Sequence, residues 1–196
     1  PPTPPPSPPP PSSPPPSPLP SPPPPTITQT LNLIPGEKKS FGLILTPNNN
    51  LLSQLENSVV QMDDNIVFIK NETITLVQGT LFSTFEPFKG YFILSAVVQN
   101  ITFTGPQLGA LTTISLLESS TKTFSIGNRN SLNILDVFSN NSFSGMRIER
   151  DDLYLHVYDP NPQTLHDQNF LSNTAFEFLE PGKGYLITGA DISKSI

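Results

Sequence analysis

The sequence predicts a mainly β protein: two tandem, pseudo-repeated units of small β-sandwich or barrel type, each with one short helix, behind a polyproline II arm. Three observations predict it. The stretch Glu86-Pro87-Phe88-Lys89-Gly90-Tyr91 returns as Glu180-Pro181-Gly182-Lys183-Gly184-Tyr185, 94 residues later. Short apolar runs rich in β-formers alternate with turn residues from position 26 onward. The first 25 positions hold 18 of the 25 Pro.

The arm comes first. Residues 1–25 contain only Pro, Ser, Thr3 and Leu19. Consecutive prolines lock φ and donate no hydrogen bond, so helix and sheet are excluded and polyproline II remains. At about 3.1 Å per residue the arm would span roughly 75–80 Å. A compact head of the remaining length has a diameter of about 40 Å. The arm is thus expected to be a solvated stalk or to lie along other chains. Thr3, Ser7, Ser12, Ser13, Ser17 and Ser21 do not keep the three-residue period, so hydroxyls face every direction. That suits a rod decorated all round better than a ligand for one flat groove.

Ser7-Pro8-Pro9-Pro10-Pro11, Ser13-Pro14-Pro15-Pro16 and Ser21-Pro22-Pro23-Pro24-Pro25 resemble the Ser-Pro blocks of extensins and other hydroxyproline-rich cell-surface glycoproteins of plants and green algae. The resemblance covers the arm alone. It implies hydroxylation of those prolines, with glycans on hydroxyproline and on Ser7, Ser13 and Ser21. The competing reading of the arm is a bare spacer.

The head, read in order, gives two copies of one pattern. Leu31–Ile34 and Lys39–Leu43 match Ile114–Leu117 and Lys122–Ile126 at an offset of 83. Asn50 to Leu55 matches Asn133 to Phe138 at the same offset. Asp63-Asp64 matches Asp151-Asp152 at 88, and the EPxKGY stretches match at 94. The growing offset marks loop insertions in the second copy. Each copy begins with two short strands. Asn50 and Asn133 are then N-cap candidates for a helical turn. A hairpin follows with the Asp pair at its tip. EPxKGY is expected at the tip of a second hairpin, where Pro87 and Pro181 pre-set the turn and Gly90 and Gly184 supply positive φ. A binding loop carrying Lys and Tyr is the functional alternative, but turn chemistry explains the spacing without a ligand. The domain boundaries are therefore 1–25, 26–105 and 106–196, with Gly105-Pro106 as the joint. Units this small favour packing of one copy on the other.

Pro181-Gly182-Lys183-Gly184-Tyr185 and Leu33-Ile34-Pro35-Gly36 are similar to the ending and opening of an extracellular bacterial β repeat that closes in PGKGY. That repeat carries a Trp in its opening, and this chain has none. The resemblance implies an accessory surface module without catalysis.

Composition excludes several classes. The chain has 196 residues, net charge −6, no Cys and only 13% charged residues. There is no basic cluster for nucleic acid and no run long enough for an apolar membrane helix. The absence of Cys rules out disulfides and thiolate chemistry. No initiator Met or signal peptide is seen, so a processed form or a fragment is expected. His156 sits in an alternating strand and His166 in a polar loop, without ligand spacing. Asp63-Asp64 and Asp151-Asp152 offer carboxylates, but no calcium-loop pattern follows them. No nucleophile elbow or phosphate loop occurs. No catalytic residue, metal or cofactor is therefore assigned, and an enzyme is not expected. Tyr91, Tyr185, Phe82 and Phe176 read as core positions.

Three sequons, at Asn71, Asn100 and Asn140, fall in loops or at strand ends and point to the secretory pathway. The expected function is a structural extracellular glycoprotein. It would be a subunit of a fibre, hair or wall layer, and would self-associate into filaments through its arm and β heads. The alternative is a cell-surface glycan-binding or adhesion module on a glycosylated stalk.

Overall fold

Period-two alternation in Thr-Ile-Thr-Gln-Thr-Leu-Asn-Leu produces strand β1 (Thr26–Leu33), with Leu31 and Leu33 buried and Thr28, Thr30 and Asn32 exposed. It pairs antiparallel with β7 (Gln99–Pro106) along its whole length, so Thr28 faces Thr104 and Thr30 faces Thr102. In the computed structural model, the described residues are 1–3, 22–109, 115–116, 121–127, 130–137, 147–157, 165–166, 176–188 and 194–195.

Between β1 and β7 the chain forms a five-stranded antiparallel sheet. Its members are β2 (Lys38–Gly42), β3 (Ser58–Met62), β4 (Asn65–Lys70), β5 (Thr73–Gln78) and β6 (Gly90–Ser95), in the order β2-β6-β3-β4-β5. Asp63-Asp64 is the two-residue tip between β3 and β4. Asn71-Glu72 is the tip between β4 and β5, and both residues have positive φ, as a type I′ hairpin requires. Phe103 of β7 stacks on Phe41 of β2 at 5.4 Å, and Phe85 meets both rings edge-on. The two-stranded and five-stranded layers thus share one core, with Leu43, Leu52, Val60, Val67, Tyr91 and Ile93 fully enclosed.

The second half builds another five-stranded sheet. Its members are β9 (Lys122–Phe124), β11 (Arg147–Arg150), β12 (Leu153–Val157), β13 (Leu165–His166) and β15 (Tyr185–Thr188), in the order β13-β12-β11-β15-β9. Short pairs join β8 (Ser115–Leu116) to β16 (Lys194–Ser195) and β10 (Leu132–Asn133) to β14 (Phe178–Leu179). Asp151-Asp152 is the tip between β11 and β12. A separate core gathers Phe124, Ile134, Ile148, Leu155, Phe176, Leu179, Tyr185 and Ile187.

Four expectations are corrected. EPxKGY is not a hairpin tip. β6 pairs with β2 and β3, while the apolar run before it, Leu81–Phe85, docks against Asn50–Leu52. The same holds later, where β14 pairs with β10 and not with β15. Phe82 and Phe85 fill the core, and the Tyr91 hydroxyl bonds the backbone of Thr84 and Glu86 beside them. The helical turn of the first half is a 3-10 turn, Leu52–Gln54, capped by no side chain. Asn50 instead donates its amide to the Phe85 carbonyl. The second half does hold a one-turn α-helix, α1 (Ile134–Val137), directly after Asn133. Gly105-Pro106 is not a joint, since both residues lie within β7 and Leu108 still donates to the Ile44 carbonyl. His166 lies in β13 opposite His156, not in a loop.

Phe85 is fully buried and touches three rings. Phe85→Ala should therefore cost about 3–5 kcal/mol, read as a shift in urea midpoint at unchanged slope.

Candidate functional site

The two EPxKGY stretches meet at one seam. Each is a four-residue turn in which the Glu carbonyl accepts from the Lys amide, at 3.4 Å in both. Pro stands at the second position, and the third has positive φ: Phe88 at 63° and Gly182 at 80°. That is the signature of a type II turn. Positive φ thus falls two residues before Gly90 and Gly184, where it was expected. Those glycines are needed for space. A Cβ on Gly90 would stand 2.5 Å from the Phe124 carbonyl oxygen and 2.9 Å from the Tyr185 nitrogen. A Cβ on Gly184 would stand 2.5 Å from the Phe41 carbonyl oxygen and 2.8 Å from the Tyr91 nitrogen. The backbones of the two halves cross there in direct contact.

The Tyr that closes each stretch reaches back to its start. The Tyr91 hydroxyl accepts from the Glu86 amide and the Tyr185 hydroxyl from the Glu180 amide, both at 2.6 Å. Burial pushes both hydroxyls up from their ordinary range, so both stay protonated.

Each Lys of the motif holds the Asp of its own half. Lys89 Nζ lies 2.8 Å from Asp63 Oδ2, and Lys183 Nζ lies 3.0 Å from Asp151 Oδ2. The other oxygen of each carboxylate crosses the seam. Asp63 Oδ1 accepts from the Thr123 amide at 2.6 Å and the Thr123 hydroxyl at 2.9 Å. Asp151 Oδ1 accepts from the Ser40 amide at 2.7 Å. The backbone adds a second reciprocal pair: Gly42 N–H donates to the Gly182 carbonyl, and Ser125 N–H to the Phe88 carbonyl. Lys38 bridges to Glu149 at 3.2 Å across the same seam. Edge strands β2 and β9 are thereby covered, which removes two unpaired edges.

Burial pushes both aspartates up, but the hydrogen bonds and the Lys charges outweigh it and leave both below their ordinary value of 3.8. With every oxygen already engaged, these carboxylates act as clamps. Among the described residues no group of three or more acid or His side chains could hold a metal. Beside the seam lies a cleft of about 310 Å³ between β1, β2 and the Pro181 turn, where Gln29 bridges Gly42 and Ile44 through its amide.

Of the residues singled out by sequence, Pro87 and Pro181 are exposed at the turns and Gly90 and Gly184 are buried in the seam. Asn71 is exposed at a hairpin tip and Asn100 is exposed on β7. Pro22 to Pro25 are exposed, and the Pro25 carbonyl accepts from the Gln107 amide. Asn140, Ser7, Ser13, Ser21 and Pro8 to Pro16 lie outside the described residues. Ser40, Thr123, Gly42 and Ser125 were missed as seam residues. The signal was present, since the offset of 83 pairs Ser40 with Thr123 and Gly42 with Ser125.

No family model matches the chain, and no curated protein or solved structure matches it either.

Gly90→Ala and Gly184→Ala should each destabilise the protein by about 1–3 kcal/mol, because the clash is with backbone. Gly109→Ala, which meets nothing within 4 Å, should stay within about 0.5 kcal/mol. Chemical denaturation of the three variants checks this. A second expectation concerns acid. Both aspartates titrate lower when folded than when unfolded, so the stability they contribute is full above the unfolded value near 3.8. It is lost as pH falls through the depressed folded values. Melting temperature should drop between pH 5 and 2, and Asp63→Asn with Asp151→Asn should remove part of that drop.

Proposed function

We propose that the chain is a structural extracellular glycoprotein, a subunit of a fibre, hair or surface layer. Its head is read as two copies of one unit packed face to face. The observation that carries this reading is the reciprocal seam. A head held by its own backbone contacts, with each motif lysine paired to a hairpin-tip aspartate that also bonds the opposite half, is built as a rigid body. Matching strand orders in the two five-stranded sheets and two separate cores support the duplication.

The setting is supported by placement. Asn71 and Asn100 stand exposed, each in an acceptor sequon. Asn71 sits at a tight tip, where a glycan would extend from the sheet edge without displacing any strand. The arm leaves the head from β1, and the bond from Gln107 to Pro25 fixes its point of departure. Tyr91 and Tyr185 are fully buried and so cannot serve as sugar-stacking platforms, which weighs against the glycan-binding reading.

Intact mass spectrometry of protein from its natural source should show hydroxylated prolines and pentose or hexose ladders. A single mass equal to the bare chain would overturn the glycoprotein reading. Deletion of residues 1–25 should abolish or alter filaments seen by electron microscopy, and unchanged filaments would reduce the arm to a spacer.

A further inference from the structure

We propose that the cleft between β1, β2 and the Pro181 turn binds a saccharide unit carrying one carboxylate. This goes beyond the structural reading of the chain and does not depend on it. The cleft has a volume of about 310 Å³, at the small end of ligand sites and enough for one sugar ring. It opens where two strand edges stand apart. β1 pairs only with β7, and β2 ends its sheet. The second half meets that end of β2 through the Ser40 and Gly42 amides.

The space is kept open by the chain itself. The Gln29 amide is fully used on Gly42 and Ile44, so it walls the cleft and sets its width. Gly182 lies opposite: a Cβ there would stand 3.3 Å from Gln29 Nε2 and 3.9 Å from the Ile44 side chain. The equivalent position of the first half carries Phe88, whose ring lies against Gly127. Gly182 brings no side chain, and the room remains.

The polar groups around that room are unspent. Lys39 and Lys183 line it and no acidic side chain does. Lys183 is held by Asp151 at 3.0 Å. Lys39 is half-buried and, among the described residues, has no ion pair and no side-chain hydrogen bond. A partly desolvated ammonium without a counter-ion is a standing attraction for an anion. Ser40 is 1% exposed. Its hydroxyl lies close enough to Asp151 to help hold that carboxylate down, yet makes no hydrogen bond of good geometry. A buried hydroxyl left in that state is costly. Thr30 and Asn32, on the β1 rim, likewise make no side-chain hydrogen bond among the described residues.

These groups select the ligand. One unpaired cation matches one negative charge, whereas a phosphate monoester would bring nearly two. The hydroxyls and the amide around it match a ring rich in hydroxyls. Leu31 and Phe41 are only 2% and 3% exposed, so the cleft offers no ring for stacking and little to an alkyl or aromatic acid. Both halves wall the cleft, β1 and β2 from the first and the Pro181 turn from the second. A bound ligand therefore ties them together, and binding should raise the melting temperature.

The full-length protein, labelled with nitrogen-15, is titrated at low salt and pH 7 with sodium glucuronate, glucose, sodium acetate and inorganic phosphate in turn. Glucuronate should shift the amide signals of Thr30, Asn32 and Ser40 saturably and raise the melting temperature. Glucose, acetate and phosphate should each bind at least about tenfold more weakly. Lys39→Met should weaken glucuronate about tenfold or more, while Lys70→Met, three strands away on β4, should leave it unchanged. Asn32→Ala, at an exposed position with no bond to lose, should also weaken it and serves if Lys39→Met fails to fold. A trisaccharide ending in glucuronate that binds tighter than the free acid supports the proposal with a polysaccharide as the source. Equal binding supports it with the free sugar acid. Acetate or phosphate binding as tightly as glucuronate overturns it, as does a Lys39→Met or Asn32→Ala chain that binds like the parent. No saturable shift by about 50 mM glucuronate overturns it outright.

Discussion

Everything at the centre of this protein depends on a carboxylate shared between two partners. Asp63 and Asp151 each give one oxygen to a lysine of their own half and the other to a backbone amide of the opposite half. A hydrogen bond to a charged acceptor contributes roughly 1.5–3 kcal/mol, more than an exposed ion pair does. The lysine serves a different end: it holds the carboxylate in the rotamer that reaches across. Loss of either aspartate would strand an amide in the seam, with the cost of an unsatisfied buried donor. The clamp thus makes two small cores behave as one head.

The six-residue motif supplies most of what that clamp requires. Pro and a residue of positive φ turn the chain. Lys seats the aspartate. Gly lets the other backbone approach to within van der Waals contact, and Tyr ties the turn to the strand it opens. Phe88 shows the tolerance of the design. A bulky residue at positive φ is costly, yet its ring lies against Gly127, where a Cβ would approach it to 2.8 Å. The first half thereby keeps an apolar contact that Gly182 cannot make in the second.

Edge protection follows from the same seam. β2 and β9 would each offer a row of unpaired backbone groups if the halves separated. Joined, they leave β5 and β13 as the outer edges of the two large sheets. β5 carries Leu76 and Val77 exposed, and Asn71 stands one turn before it. A glycan there would sit beside the edge most open to unwanted pairing.

The sequence by itself determined the β class, the Asp-tipped hairpins, the core roles of Tyr91, Tyr185, Phe82 and Phe176, and the match of Ser40 with Thr123. Period-two alternation and turn residues act within a few positions of the chain, and an internal offset is read by laying two stretches of one sequence side by side. Only the tertiary structure decided what the repeated motif is for. The strand partners of β6, the exchange of amides between halves and the steric need at Gly90, Gly184 and Gly42 all involve residues some 30 to 140 positions apart. A glycine chosen for positive φ and a glycine chosen for close approach are the same letter. Only the atom that would meet its Cβ tells them apart.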